Sequence, residues 1–584
     1  MKCQILEKKR KAEIFFEKLK KLNSFKKANG LIKKTTSIVD LFQSEKELKE
    51  FIHYIDTRKE MLLEESDSSS KDLGDIQTPF YLIKKIFKIL LEQKFDPDIV
   101  VEPTFGRGHF IQLLPNYFPD VKKIYGVEIQ KRHFWHYIFL AILNGLKRKR
   151  DFKCKISLYN EDFFQHQFDE SLLKDKTSKF LFIGNPPWVT LSELSILKSE
   201  NRPETSNVKK FSGIQAITGS SNFDIGESII TKLIQSFSNK KGKIALLCKD
   251  IVIRNIFKQL PSSEFKLSNI YAIKFDARKV FNANCEASIF LADLESKKSD
   301  LICKVSTIDS PFEIINEYGW VNDDFVSNVR KYTDYSFLDG NFDIKWRQGI
   351  KHNCSKVLEL EYNEQGQLMN KLDEKVKIEN DLIFPLLKGS DLTSFEIKKT
   401  EKMILLTQTK LNESTQFIQK KYPKTWNYLI KYQVYFDMRM SKVFQANIPY
   451  SIFGVGDYSF SPYKVAVASF YKTPKFSLIK SVKGKPTQLD DTCYYLSFKN
   501  YEKALFICTM LNSDLVKEFL DSIAFYNTKR PFTKDILMRI DLKKLIENTE
   551  FDSIREIWKA NDYPNKNNFT VKNFNDFKKK MSQI

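Results

Sequence analysis

The chain has 584 residues, 42% hydrophobic and 29% charged, a balance that excludes whole-chain disorder, a collagen-like repeat and a disulfide scaffold. At roughly 100–200 residues per domain, this length predicts about three domains or one elaborated large one. Lys and Arg number 95 against 73 Asp and Glu, a net charge of +22, which points to a polyanionic partner: most simply nucleic acid, and less well an anionic membrane surface.

The first 34 residues hold twelve Lys/Arg and three Glu, with Ile14, Phe15, Leu19 and Leu22 at helical spacing among them. One or two amphipathic helices are expected through about residue 63. A DNA-backbone arm and a helical extension with a solvated basic face both remain open. Residues 64–75 are acidic and Ser-rich and read as a linker. From residue 76 helical and β-rich segments alternate. The predicted order is helix 79–91, strand 99–102, a helix after Gly108, strand 123–128, helix 132–146, strands 155–159 and 180–184, helix 224–238, and strands 242–248, 270–275 and 286–292. Such alternation predicts an α/β fold, a doubly wound, mostly parallel sheet. From about 330 the rhythm is lost, and a separate mixed domain follows, with helices near 502–514 and 516–523.

Eight cysteines are scattered without a C-x-x-C pair, so no zinc or redox motif is present and reduced thiols are expected. His133 and His136 share a helix face but lack a third ligand, and no metal site is expected. No apolar run reaches the roughly 18–20 residues of a membrane span, and the basic N-terminus lacks a signal-peptide core. A cytoplasmic protein with no membrane partner is the expectation.

The segment Ile99-Val100-Val101-Glu102 is an apolar strand ending in a carboxylate. Pro103-Thr104-Phe105-Gly106-Arg107-Gly108 follows it into a helix. A glycine turn at the carboxyl edge of a parallel strand lets backbone approach a ligand. Glu128 closes the next strand 20 residues after Gly108, the place of a ribose-binding acid. A third glycine is missing (Ile111 stands there), so this is not a dinucleotide fingerprint. An acid at the loop suits a cationic, phosphate-free cofactor such as S-adenosylmethionine, whose ammonium Glu102 would pair with. After the third strand, Asp162 offers an acceptor to an adenine amino group and Phe163 a cover for the ring.

The strand at 180–184 runs into Asn185-Pro186-Pro187-Trp188. Proline has no N–H and fixes the backbone, so the Pro186 carbonyl is free to face a ligand. The Asn185 side-chain oxygen is a second acceptor, and Trp188 supplies a flat stacking face. Two acceptors on one exocyclic amine draw its nitrogen toward tetrahedral character and stabilise the charge developing there.

At these residues the chain resembles the amino-methylating DNA methyltransferases, specifically the adenine-N6 group of type II restriction-modification systems with the TaqI-like (gamma) motif order. The order here is Gln77-Thr78-Pro79-Phe80, then Glu102 to Gly108, Glu128, Asp162-Phe163 and Asn185 to Trp188, with a late recognition domain. The resemblance implies a Rossmann-like class I S-adenosylmethionine methyltransferase domain at 72–330. It also implies a C-terminal mixed α+β target-recognition domain at 331–584 and an N-terminal helical extension at 1–71. By the same resemblance Thr78 and Pro79 border the cofactor's methionine part. Thr104, Gly106 and Gly108 approach it with Glu102, Glu128 binds the ribose, and Asp162 and Phe163 hold the adenine moiety. Asn185 and Pro186 take the target amine, and Trp188 and Phe281 pack on a flipped base. Arg347, Lys351, Lys388, Arg530 and Lys534 are candidate contacts to double-stranded DNA. Two departures stand out: Trp188 replaces the commoner Tyr or Phe, and Phe105 and Arg107 replace small residues.

The implied activity is methylation of an adenine N6 amine in a short duplex site. It would protect that site from a cognate restriction endonuclease, a functional partner rather than a physical one. The same catalytic motif also serves protein-glutamine and RNA amine methylation. A basic module of some 250 residues beyond the catalytic domain argues against the first, and the motif order against the second. A fused nuclease is disfavoured because Pro119-Asp120 and Glu128-Ile129-Gln130-Lys131 miss the metal-site spacing. The roughly 70 residues ahead of the first motif are also too few for a nuclease domain. A non-catalytic binding protein is disfavoured by the intact Asn185 to Trp188 motif.

Overall fold

A computed structural model describes residues 2–57, 76–146, 154–190, 224–294, 298–342, 344–439, 444, 448–560 and 570–581. The linker expected at 64–75 and the end of the helix expected to reach 63 lie outside them. The chain divides into two units, Met1–Phe325 and Val326–Ile584.

The first unit is built on a ten-stranded sheet. Its strands are β1 (Ile99–Glu102), β2 (Lys123–Val127), β3 (Lys155–Tyr159), β4 (Phe180–Gly184), β5 (Gly242–Lys249), β6 (Ser268–Phe275), β7 (Ala287–Asp293), β8 (Ile302–Thr307), β9 (Asn316–Val321) and β10 (Asp324–Val326). The order is β10-β9-β8-β6-β7-β5-β4-β1-β2-β3. Strands β3, β2, β1, β4 and β5 run parallel, while β7 runs antiparallel to both β5 and β6. This is the sheet of a Rossmann-like class I methyltransferase fold. The central strands β1, β4 and β5 are buried along almost their whole length and mostly apolar, the pattern of a parallel sheet covered on both faces.

The helices are α1 (Lys2–Lys20), α2 (Phe25–Thr36), α3 (Glu45–Thr57), α4 (Phe80–Glu92), α5 (His109–Tyr117), α6 (Lys131–Gly145), α7 (Glu170–Lys174), α8 (Ile225–Ser236), α9 (Asp250–Gln259) and α10 (Ala277–Phe281). Helices α7, α9 and α10 and strands β8 to β10 are additional to the predicted elements. The three N-terminal helices are part of this unit's core. Phe16 stacks on Phe139 of α6 at 5.4 Å, and Phe51 packs on Trp135 at 5.1 Å. Ile38 forms a parallel bridge to Ile156, which covers the outer edge of β3.

The second unit holds two five-stranded sheets. The strands are β11 (Arg347–Gln348), β12 (Glu359–Tyr362), β13 (Leu368–Asn370), β14 (Ile383–Leu387), β15 (Glu396–Ile397), β16 (Lys402–Leu405), β17 (Tyr463–Ala468), β18 (Phe476–Lys480), β19 (Gln488–Leu489) and β20 (Cys493–Phe498). One sheet has the order β11-β20-β17-β18-β15 and the other β13-β12-β16-β14-β19. The helices Tyr501–Leu511 and Asp514–Ile523 follow, making this unit mixed α+β. Among the described residues, no helix is long and apolar enough to cross a membrane.

Candidate functional site

The parallel strands deliver their motif residues to one carboxyl edge, where open α/β sheets bind ligands. A cavity there encloses about 970 Å3 including its open mouth. Thr78, Glu102, Thr104, Gly106, Glu128, Asp162, Phe163 and Asn185 line it. Pro79, Gly108, Pro186, Trp188 and Phe281 are not part of its lining.

Three polar atoms in this wall are buried without a hydrogen-bond partner: Glu102 Oε2, Thr104 Oγ1 and Asn185 Oδ1. Leaving such an atom unsatisfied costs about 1–3 kcal/mol, so their concentration in one cavity marks a ligand's place. Burial, reinforced by the negative charge of Glu128, pushes the Glu102 carboxyl well above the usual carboxylate range. Gly184 sits at φ 143°, and a Cβ there would stand 3.3 Å from Glu102 Cγ, so glycine at the end of β4 leaves room for this side chain.

The loop after β1 is closed by its own backbone. Gly106 N–H donates to Glu128 Oε2 at 2.8 Å, and Gln130 N–H donates to Glu128 Oε1 at 2.7 Å. Gly108 has φ 70°, and a Cβ there would lie 2.1 Å from the Tyr137 ring, so no other residue fits. Phe105 is buried beside Phe134 and Tyr137, which is how this loop takes a bulky residue where small ones are common.

The segment ahead of α4 fastens the site together. The Ile76 carbonyl accepts from Asn185 Nδ2 at 3.3 Å, which turns Oδ1 to the opposite side of the amide. Gln77 Oε1 accepts from Arg107 N–H at 3.0 Å. The Thr78 carbonyl is 2.8 Å from His109 Nδ1, and the His109 ring packs on Phe80 at 4.6 Å. Gln77, His109 and Ile129, all in the cavity wall, carry no signal of their own beyond flanking a motif. Ile129 is 39% exposed directly after the strand-end acid Glu128, an exposure that only the folded structure reveals.

The turn carrying Asp162 and Phe163 is pinned from α8. Lys232 Nζ donates to the carbonyls of Phe163 at 2.6 Å, Phe164 at 3.1 Å and His166 at 2.9 Å. Burial pulls the Lys232 ammonium down to about 8. Asp162 Oδ1 accepts from Phe164 N–H at 2.9 Å, and Asn160 Nδ2 donates to the Glu128 carbonyl at 2.7 Å.

Beyond Asn185, Trp188 is half-buried and its Nε1–H donates to the Leu247 carbonyl at 3.4 Å. Its ring meets Phe281 at 5.2 Å and 88°, with Phe275 5.9 Å from Phe281. Rings in edge-to-face contact leave no slot between Trp188 and Phe281. Asp224 caps α8 and pairs with Lys249 at 2.9 Å, and Ile225 N–H donates to the Val189 carbonyl at 3.0 Å. These contacts, with the bridge from Thr190 to Asp224, hold Val189 and Thr190 against the start of α8.

The basic residues expected to meet DNA differ in their freedom. Arg347 is exposed and its guanidinium lies 4.7 Å over the Tyr458 ring. Lys534 is exposed at a helix start. Lys351 is half-buried and bridges Phe453 through its backbone. Arg530 pairs with Asp491 at 3.3 Å. Lys388 is tied to buried Glu359. Burial would raise that carboxyl, but hydrogen bonds from His352, Lys371 and Lys388 outweigh it and hold it well below the usual range. Lys388 therefore shares one buried carboxylate with Lys371 and is held inward by it. Among the described residues no group of three His, Cys, Asp or Glu could hold a metal.

No family model matches the chain. A type II methyltransferase of Nostoc sp., M.NspV, is 37% identical over 484 residues, 82% of this chain and 98% of the relative. The solved DNA complex of the type IIL restriction-modification enzyme MmeI is similar with a TM-score of 0.48 and 12% identity, over 86% of this chain and 72% of that one. A class I S-adenosylmethionine-dependent methyltransferase from Listeria monocytogenes gives a TM-score of 0.29 and 14% identity, over 52% and 85%.

Proposed function

The chain belongs to the type II methyltransferases, with S-adenosylmethionine as methyl donor, and on that premise we propose that it methylates the N6 amine of an adenine in a short duplex-DNA site. The observation that carries this reading is the pair of unpartnered buried acceptors in one cavity, Asn185 Oδ1 and Glu102 Oε2. One suits a neutral amine and the other a cation.

The residues present fit the cofactor. Glu102 would take its ammonium, the backbone around Gly106 would lie along it, Glu128 would accept from the ribose hydroxyls, and Asp162, Phe163 and Ile129 would enclose the adenine ring. When bound, its sulfonium supplies an already activated methyl group. The chain's own contribution is to hold the acceptor nitrogen. Asn185 Oδ1 and the Pro186 carbonyl accept the two N–H bonds of the target amine, withdrawing its lone pair from the ring and stabilising the positive charge that grows on nitrogen. No side-chain base is required before transfer; positioning does most of the work. Inside a duplex the amine is out of reach, so the base is extruded and packed on a face of the Trp188, Phe275 and Phe281 trio. In this reading the methyl-transfer domain spans 72–330 and the recognition domain 331–584. Arg347, Lys351, Arg530 and Lys534 contact the DNA, and modification shields the site from a cognate endonuclease.

The test is Asn185→Ala in single-turnover transfer to unmethylated DNA. Loss of one acceptor is expected to slow transfer on the order of 100- to 1,000-fold, with S-adenosylmethionine affinity within a few-fold of wild type. Undiminished transfer would remove Asn185 from the chemistry.

A further inference from the structure

The connection between β17 and β18, residues 469–475, carries two large aromatic side chains in solvent. Phe470 is 37% exposed and Tyr471 50%. Adjacent rings left in solvent at a hairpin tip are unusual unless they meet a partner. The tip is braced at both ends. Ser469 donates its backbone N–H at 2.9 Å and its hydroxyl at 2.8 Å to the Thr492 carbonyl. Lys475 donates to the Thr393 carbonyl, and Phe476 N–H donates to Asn512 Oδ1 at 3.1 Å. Rings presented on so well-held a tip lose little freedom on binding.

Cations surround them. The Arg530 guanidinium lies 4.6 Å from the Phe470 ring centre and is oriented by Asp491, whose carbonyl accepts from it at 2.8 Å. The Lys529 ammonium is 6.0 Å from the same ring, and Lys472 is exposed on the tip itself. Protein–protein interface cores are depleted of lysine. Nucleic-acid surfaces combine cations for phosphates with flat rings for sugars and bases. We propose that the Phe470–Tyr471 tip, backed by Arg530 and Lys529, is a duplex-DNA contact surface in which the rings pack against sugars or a base step and the cations meet phosphates. This rests on the DNA reading above and adds to it a hydrophobic contact that charge alone does not supply.

The test is equilibrium binding of the full chain to a methylatable duplex over a range of salt, with Phe470→Ala/Tyr471→Ala and Lys472→Ala/Lys529→Ala variants. Cofactor affinity and sedimentation are measured alongside. The aromatic variant is expected to bind the duplex about tenfold or more weakly, with an unchanged salt slope, cofactor affinity and oligomeric state. The lysine variant is expected to lower the log–log salt slope by about 2. An aromatic variant that binds the duplex within twofold of wild type overturns the proposal. So does one that turns a self-associating protein into a monomer, which would make the tip a protein interface. A wild type that binds cofactor but no duplex fails at the broader reading, and the proposal falls with it.

Discussion

Glu102 keeps one buried oxygen without a partner and a carboxyl raised by burial and by Glu128. In the unfolded chain the same group ionises in the ordinary carboxylate range. Between the two values the folded protein binds more protons, so this group's contribution to stability falls as pH rises through that window. A bound cation reverses the preference and favours ionised Glu102, so cofactor binding releases a proton and tightens with rising pH in the same window. Glu102→Gln is expected to raise the melting temperature of the cofactor-free protein near neutral pH and to weaken cofactor binding about tenfold or more. Calorimetry in buffers of different ionisation enthalpy reads the released proton; its persistence in the variant would contradict the assignment. Much of the cavity's lining was legible because most of the motif residues in it follow strand ends, where residue type and spacing stand out. Gln77 and His109 were not, since their roles depend on chain segments about 30 residues away in sequence. The edge-to-face meeting of Trp188 and Phe281 depends on side-chain rotation, which sequence spacing does not encode.

At the scale of single elements, the N-terminal helices and the pinned turn carry separate predictions. The basic face of α1 and α2 left an arm and a packed extension equally open in the sequence. Spacing shows that a helix has an apolar side but not what covers it. The structure buries Phe16, Leu19, Ile32 and Phe51 in the core of the first unit. Phe51 is fully buried against Phe42 and Trp135, so Phe51→Ala is expected to cost ~3–5 kcal/mol in chemical denaturation. A loss under about 1 kcal/mol would speak for a loosely attached arm. Lys232 holds three carbonyls of the turn that presents Asp162 and Phe163. Because burial lowers its pKa to about 8, the folded protein gives up this proton earlier than the unfolded chain. Its contribution to stability therefore rises with pH from about 8 to the ordinary lysine range, as the cost of burying charge is relieved. Lys232→Met loosens the turn and is expected to raise KM for S-adenosylmethionine several-fold while changing kcat at saturating cofactor little. Steady-state kinetics with varied cofactor checks it, and an unchanged KM would contradict the pinning role.

Across the whole molecule, strand–helix alternation and strand-end chemistry made the parallel half of the first sheet readable, because buried parallel strands are short apolar runs between amphipathic helices. The extension β8 to β10 was not, since its strands are half-buried and mixed in pattern. In the second unit several strands are only two or three residues long. Their pairing is fixed by distant partners, such as Arg347 opposite Tyr495, and no local periodicity reveals it. The net charge of +22 fits a polyanionic substrate but does not name the base. The central claim is therefore tested by incubating wild-type protein and Asn185→Ala with labelled S-adenosylmethionine and unmethylated genomic DNA, then digesting the product to nucleosides. Label in N6-methyladenine, lost in the variant, is the predicted result. Label in N4-methylcytosine, or none in DNA from a protein that binds the cofactor, would contradict it.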